Sequence, residues 1–330
     1  YIGETLGSMN VDRVTALAGN VGLRAQSSIY DWNKDLAADV SADDITLEAF
    51  LGEIGQLLGG SNDGNFEINS DTAGTVGSGV LTTYTRDDLN LMESSGSLYL
   101  RQIQTGYGTA YITSPASIFN GNGGTCNSAS TVGCNVVTGI DTLPGKARFY
   151  ANQDIGSNTI TSISFGAITS NIGRVEGVAQ NGCFILRNQG ALISGGVTPA
   201  TTSIEAGSCI KLIAQSPVTV EVSQIAHVGD IVIVSEDNGA TDFVYVNPGV
   251  TLEATTGTVW LRGGDSITLP VGAIITAGVA AKFSCEDSAT GDSDPQGCQI
   301  SLYGQINTPQ LTIIGGNDND TIIVDPQMSM

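Results

Sequence analysis

The feature that most limits what this chain can fold into is its hydrophobic rhythm. Apolar residues alternate with polar ones at a period of 2, in runs of three to five residues punctuated by Gly, Asn, Asp or Ser, and this pattern calls for short strands. The C-terminal third shows it most clearly, in Ile231–Val234, Phe243–Val246, Val259–Leu261, Ile267–Leu269, Ala273–Thr276, Gln299–Leu302, Leu311–Ile314 and Thr321–Val324. Strands starting every eight to twelve residues suit a sandwich, a barrel or a solenoid equally. Repetition separates the three. Val21-Gly-Leu-Arg-Ala-Gln-Ser-Ser-Ile29 aligns with Val259-Trp-Leu-Arg-Gly-Gly-Asp-Ser-Ile267, and Leu98-Tyr-Leu-Arg101 repeats a strand ending in Arg. Asp43-Asp-Ile-Thr-Leu47 aligns with Asp87-Asp-Leu-Asn-Leu91, 44 residues on, and with Asp265-Ser-Ile-Thr-Leu269. An offset of 44 is two coils of roughly 22 residues, each with three short strands. A sandwich has no cause to repeat strand–turn phrases, so the expected fold is all-β, a parallel β-helix, in a single domain spanning 1–330.

Composition agrees with that reading. Only 6% of residues are aromatic and 43 are Gly, which suits a narrow interior of small and β-branched side chains stacked at the ~4.8 Å strand spacing. One segment resists: Leu47 to Leu58 carries Phe50, Leu51, Ile54, Leu57 and Leu58 at helical spacing, yet Gly52 and Gly55 interrupt it. A short helix and a Gly-broken strand with a loop both fit.

Charge excludes several partners. The chain has 33 acidic and 12 basic residues, a net charge of −21, whereas nucleic acids and anionic membranes are held by clustered Lys and Arg. Val271 to Ala281, the longest apolar stretch, is far shorter than the ~20 residues of a membrane span. The chain opens at Tyr1 without a leader, so it reads as a processed form or a segment of something longer.

Six cysteines allow many pairings, but their positions favour Cys126–Cys134 and Cys285–Cys298 as loop staples. Cys183 and Cys209, 26 residues apart, would sit about one coil apart and bridge neighbouring coils. Three disulfides imply an oxidising compartment. No Cys-x-x-Cys occurs, and His227 has no cysteine neighbour, which argues against zinc.

Several of these phrases resemble a known group. Leu252-Glu-Ala-Thr-Thr-Gly-Thr-Val-Trp-Leu-Arg-Gly-Gly-Asp-Ser-Ile-Thr-Leu269 and Thr308-Pro-Gln-Leu-Thr-Ile-Ile-Gly-Gly-Asn-Asp-Asn-Asp-Thr-Ile-Ile-Val324 look like the giant repetitive exoproteins of bacteria, related in style to filamentous haemagglutinins. Asp88 to Leu100 is similar too. The resemblance runs from about Asn10 to Asp325, strongest after Leu252 and weakest between Asn120 and Val220. It implies a right-handed β-solenoid, secreted or displayed on a cell surface, used for adhesion or as a spacer.

Calcium is the expected cofactor. Gly315-Gly-Asn-Asp-Asn-Asp-Thr-Ile-Ile323 matches the haemolysin-type nonapeptide except that Asp318 stands where the third Gly belongs. Asp318 and Asp320 are therefore candidate ligands, against the plainer reading of an Asn/Asp-rich corner. Asp287, Asp292 and Asp294, with Glu286, crowd the Cys285–Cys298 loop, where a cation would relieve their repulsion. The pairs Asp43-Asp44 and Asp87-Asp88 read as corner caps.

Polysaccharide cleavage is the main alternative for a β-helix. It needs paired carboxylates in distinct protonation states, and the chain has no Gly-His-Gly or Arg-Ile-Lys companions. His227, in Ile225-Ala-His-Val-Gly229, reads as structural. The expected function is an extracellular structural or adhesive solenoid without catalysis, self-associating head to tail or joined to neighbouring segments of a longer chain. Surface glycans are possible partners, and a glycan-binding module is the third reading.

Overall fold

The structure is a computed structural model that describes residues 1–330 except 57–63, 71–78, 123–125, 127–132, 141–142, 158–165, 200–202, 216, 237–240, 286–296, 317–318 and 326–330. The chain forms a parallel β-solenoid, and its contacts divide it into two compact units, 1–173 and 174–330.

In the second unit each coil contributes three strands. The first face stacks Phe184–Asn188, Ile210–Ala214, Ile231–Ser235, Thr258–Gly263, Ala280–Cys285 and Leu311–Ile314, all parallel. The second stacks Leu192–Ser194, Val218–Val220, Phe243–Val246, Ser266–Leu269, Gln299–Leu302 and Thr321–Val324. The third stacks Ile204–Ala206, Gln224–Ala226, Thr251–Ala254, Ile274–Ala277 and Gln305–Asn307. Arg174–Ala179 serves both the second and third faces, pairing with Leu192–Ser194 and with Ile204–Ala206.

Because the pairing is parallel and in register, like sits on like. Leu212, Ile233, Leu261 and Phe283 form one column on the first face, all fully buried. Val218, Val244, Ile267 and Ile300 form another on the second. Each such side chain contributes roughly 1.5–3 kcal/mol on burial. Ile210 pairs with Ile231, 21 positions on, and Val259 with Ala281, 22 positions on.

The first unit repeats the plan with looser coils. Its first face stacks Ile2–Glu4, Val21–Ala25, Ile45–Ala49, Leu81–Thr85, Leu98–Thr105, Val136–Ile140 and Ile168–Asn171. Its second stacks Val14–Thr15, Val40–Ser41, Phe66–Asn69, Leu89–Glu93, Thr109–Ser114 and Lys146–Ala151. Met9–Val11 pairs with Ile29–Asp31 at a corner. Coil length varies here: Ile2 pairs with Leu23, but Ile45 pairs with Leu81, 36 positions on.

The structure refines two sequence alignments. The Val21 and Val259 phrases do lie on equivalent first faces, and so does Leu98-Tyr-Leu-Arg101. The Asp43 phrase does not match its partners: Ile45–Ala49 is on the first face, whereas Leu89–Glu93 and Ser266–Leu269 are on second faces. The offset of 44 is therefore not two coils. The same corner-then-strand phrase serves either face because both need an Asx corner followed by alternation.

Leu47–Leu58 is a strand and a turn over its described part. The strand ends at Ala49, and Ile54 makes a single bridge to Ile29 on one side and Leu89 on the other. Gly52 lies so close to Ser28 that a Cβ would collide with its Oγ, and Gly55 has φ +68°, which few other residues tolerate.

Cys126–Cys134, Cys183–Cys209 and Cys285–Cys298 are disulfide-bonded. Cys183 and Cys209 precede the paired residues Phe184 and Ile210, so this bridge ties successive coils, with Cα atoms 4.4 Å apart.

Candidate metal centre in the first unit

The most unusual chemistry lies where two successive coils of the first unit bring Asp31, Asp39 and Glu67 together. Asp31 ends the strand Ile29–Asp31. Asp39 directly precedes Val40–Ser41, and Glu67 lies in Phe66–Asn69. Since Val40 pairs with Ile68, Asp39 sits opposite Glu67 on the adjoining coil, a placement that puts like charges face to face. Phe66 and Ile68 fill the coil interior, so Glu67 points to the other side of its strand.

All three are buried: Asp31 is 7% exposed, Asp39 2% and Glu67 0%. One carboxylate oxygen from each lies within 4.8 Å of the other two. Their hydrogen bonds are few. Asp39 Oδ2 accepts the Glu67 N–H at 3.0 Å, and Asp31 Oδ1 accepts the Asn33 N–H at 2.9 Å. Asp31 Oδ2 and both oxygens of Glu67 accept no hydrogen bond from an amide, hydroxyl or cationic group of another residue. Among the described residues no ion pair reaches the three. Burial pushes the Glu67 carboxyl up to about 9, with the charges of Asp39 and Asp31 adding to it and its own backbone N–H partly opposing it. Burial likewise pushes Asp39 up to about 8, partly opposed by the hydrogen bond from the Glu67 backbone and reinforced by Asp31.

The loop from Trp32 to Ala37 is exposed and joins Asp31 to Asp39. It is held by two Asx turns, Asn33 N–H to Asp31 and Ala37 N–H to Asp35 Oδ1, by a short hydrogen bond from Asn33 Nδ2 to Asp12 Oδ1, and by Lys34 at φ 53°.

Other buried carboxylates have donors. Glu93 accepts from the N–H and hydroxyl of Ser70, and Glu176 from the N–H groups of Val197 and Thr198 and the Thr198 hydroxyl. Aspartates at corners, half-buried at Asp44 and Asp88 and exposed at Asp230, reach the next coil: Asp88 accepts from Thr109 N–H, Asp44 from Val80 N–H and Asp230 from Thr258 N–H. Asp44 and Asp88 thus act as the corner caps that the sequence implies.

Of the acidic residues singled out from the sequence, Asp320 lies at such a corner, its Oδ1 accepting the Cys298 N–H at 3.1 Å. Asp318, Asp287, Asp292 and Asp294 lie outside the described residues. His227 is on the surface, its Nε2 2.8 Å from Glu205 Oε1 on the preceding coil. Sequence reasoning missed Asp31, Asp39 and Glu67. The one available signal was Glu67 itself, an acid between Phe66 and Ile68 in a strand.

No family model, curated protein or solved structure matches the chain.

Proposed function

We propose that this chain is an extracellular structural or adhesive β-solenoid, part of a cell-surface filament or matrix, acting without turnover. The observation that carries the reading is the continuous apolar columns of the second unit, which run in register coil upon coil. Ile267 and Ile300 are buried, yet the next member of their column, Ile322, is 48% exposed, and Val324 above Leu302 is 40% exposed. Among the described residues nothing covers this coil. A strand row with apolar side chains is a template for a further coil, supplied by a neighbouring segment of a longer chain or by a second copy, and the second gives an open, head-to-tail filament. The three disulfides suit an oxidising, extracellular setting, and no helix among the described residues is long and apolar enough to cross a membrane.

A surface feature supports glycan contact as the means of adhesion. On the first face of the first unit, Arg24 lies 4.3 Å over the Phe50 ring, and Phe50 packs 5.9 Å from Tyr84, one coil further on. Half-exposed rings beside an arginine offer the flat apolar and hydrogen-bonding surface that sugar rings need.

Negative-stain electron microscopy under non-reducing conditions tests the reading. Filaments of uniform width that shorten in Ile322→Asp support it. Monodisperse short rods at every concentration, together with product release from a pectin, alginate or glycosaminoglycan panel, would replace it with the polysaccharide-cleaving alternative.

A further inference from the structure

We propose that Asp31, Asp39 and Glu67 form a divalent-cation site, with calcium the preferred ion, pinning the 32–37 loop to two successive coils of the first unit. The proposal stands apart from the filament reading and from the degenerate nonapeptide near Asp320.

The argument begins with Glu67. Its side chain is wholly buried, and neither carboxylate oxygen receives a hydrogen bond from another residue. A buried carboxylate without donors is among the most costly groups a fold can hold. Two more carboxylates, Asp31 and Asp39, lie against it, and Asp31 also presents a buried oxygen without a donor. Shared protons remove charge from such a cluster and supply O–H donors between its carboxyls, so protons and a cation compete for the same oxygens. A cation removes the charge and occupies the empty acceptor positions together.

The donor set selects the ion. It is carboxylate oxygen only, with no imidazole or thiolate, which suits a hard cation over zinc or copper. Oxygens within 4.8 Å of one another can share an ion bound at the ~2.3–2.6 Å of calcium–oxygen bonds. Glu67 presents both oxygens free for bidentate contact, a mode that calcium accepts readily and octahedral magnesium does not. Water or backbone carbonyls complete the six to eight ligands. The ion enters through the exposed 32–37 loop, whose first Asx turn ties Asn33 to Asp31 and whose second, Ala37 to Asp35, folds the loop on itself.

The test uses the full chain, stripped of metal with a chelator, and calorimetric titration with calcium chloride or magnesium chloride. The acidic loops give other ions a place to bind, so the decisive quantity is a difference between proteins. Wild type should bind one calcium ion more than Glu67→Gln or Asp31→Asn, with magnesium at least tenfold weaker at that site. Calcium should raise the wild-type melting temperature more than that of either variant. Equal stoichiometry and affinity in wild type and both variants, or no binding by wild type at millimolar calcium, would overturn the proposal and leave a proton-sharing cluster. A second measurement guards against misfolding of those variants. Trp32 adjoins Asp31 and is 65% exposed, so Trp32→Phe should fold. Terbium replacing calcium should luminesce on tryptophan excitation in wild type and lose most of that emission in Trp32→Phe; undiminished emission would place the ion elsewhere and refute the site.

Discussion

Glu176 in the second unit and Glu67 in the first are both completely buried, and both sit on a strand position that alternation assigns to the outside. Around Glu176 the overlying segment turns its backbone inward, so that Val197 N–H, Thr198 N–H and the Thr198 hydroxyl all donate to the carboxylate at 2.9–3.3 Å. Around Glu67 the overlying segment contributes two further carboxylates and no donor. The difference teaches that in a solenoid the alternation pattern settles which residues fill the coil, while the loops laid over the outer surface settle the chemistry. One segment surrounds its glutamate with donors; the other sets two more carboxylates beside its own.

The sharpest way to break this comparison is to remove each glutamate in chelator. Glu176→Ala strands three donors in a buried place and should cost on the order of 4 kcal/mol. Glu67→Ala deletes a group with no donors to lose, so its cost should stay near that of the space it vacates, about 1 kcal/mol. Urea midpoints for the two variants measure this; equal losses would mean that Glu67 has partners of its own.

Next in size is the coil-to-coil disulfide. Replacing Cys183 and Cys209 together by Ala releases a link between residues 26 apart and should lower stability by about 3 kcal/mol. The loss should be the same with and without calcium, since this bridge belongs to the unit whose buried glutamate is already satisfied.

Acidity separates the two regions in a third way. Asp39 and Glu67 are held at about 8 and about 9 in the folded chain, against ordinary values of 3.8 and 4.5. Folded values raised above unfolded ones give a stabilisation that is complete below about pH 4 and is lost as pH climbs through 8 and 9. In chelator the melting temperature of wild type should therefore fall between pH 5 and pH 9 more steeply than that of the Asp39→Asn, Glu67→Gln double variant. Parallel curves would show that the cluster does not titrate in this way. Calcium competes with those protons, so its stabilising effect should grow over the same range.

The smallest expected effect is at the surface. His227 and Glu205 are 52% and 41% exposed, and His227→Ala should change stability by no more than about 0.5 kcal/mol. A larger loss would give this pair a structural weight that its exposure does not suggest.

Much of the fold was legible in the sequence because a solenoid is built from local signals. Runs such as Ile231–Val234 and Val259–Leu261 became strands where alternation put them, and the parallel stack followed from repeated phrases. Coil assignment was less legible. The Asp43 and Asp87 phrases look alike and fall on different faces, since nothing local distinguishes one corner of a coil from another. The acidic cluster was the least visible. Asp31 and Asp39 read as ordinary loop acids in Tyr30-Asp-Trp-Asn-Lys-Asp35 and Ala37-Ala-Asp-Val40, and Glu67 lies 28 residues beyond Asp39. Only the register of Val40 on Ile68 places them face to face.

The most direct single measurement is long-wavelength anomalous diffraction from calcium-grown crystals of the full chain. The expected result is an anomalous peak within about 2.3–2.6 Å of Asp31, Asp39 and Glu67 oxygens, with none beside Glu176. Carboxylates drawn together in direct oxygen–oxygen contact, with no peak among them at saturating calcium, would contradict the cation site and make the cluster a store of shared protons instead.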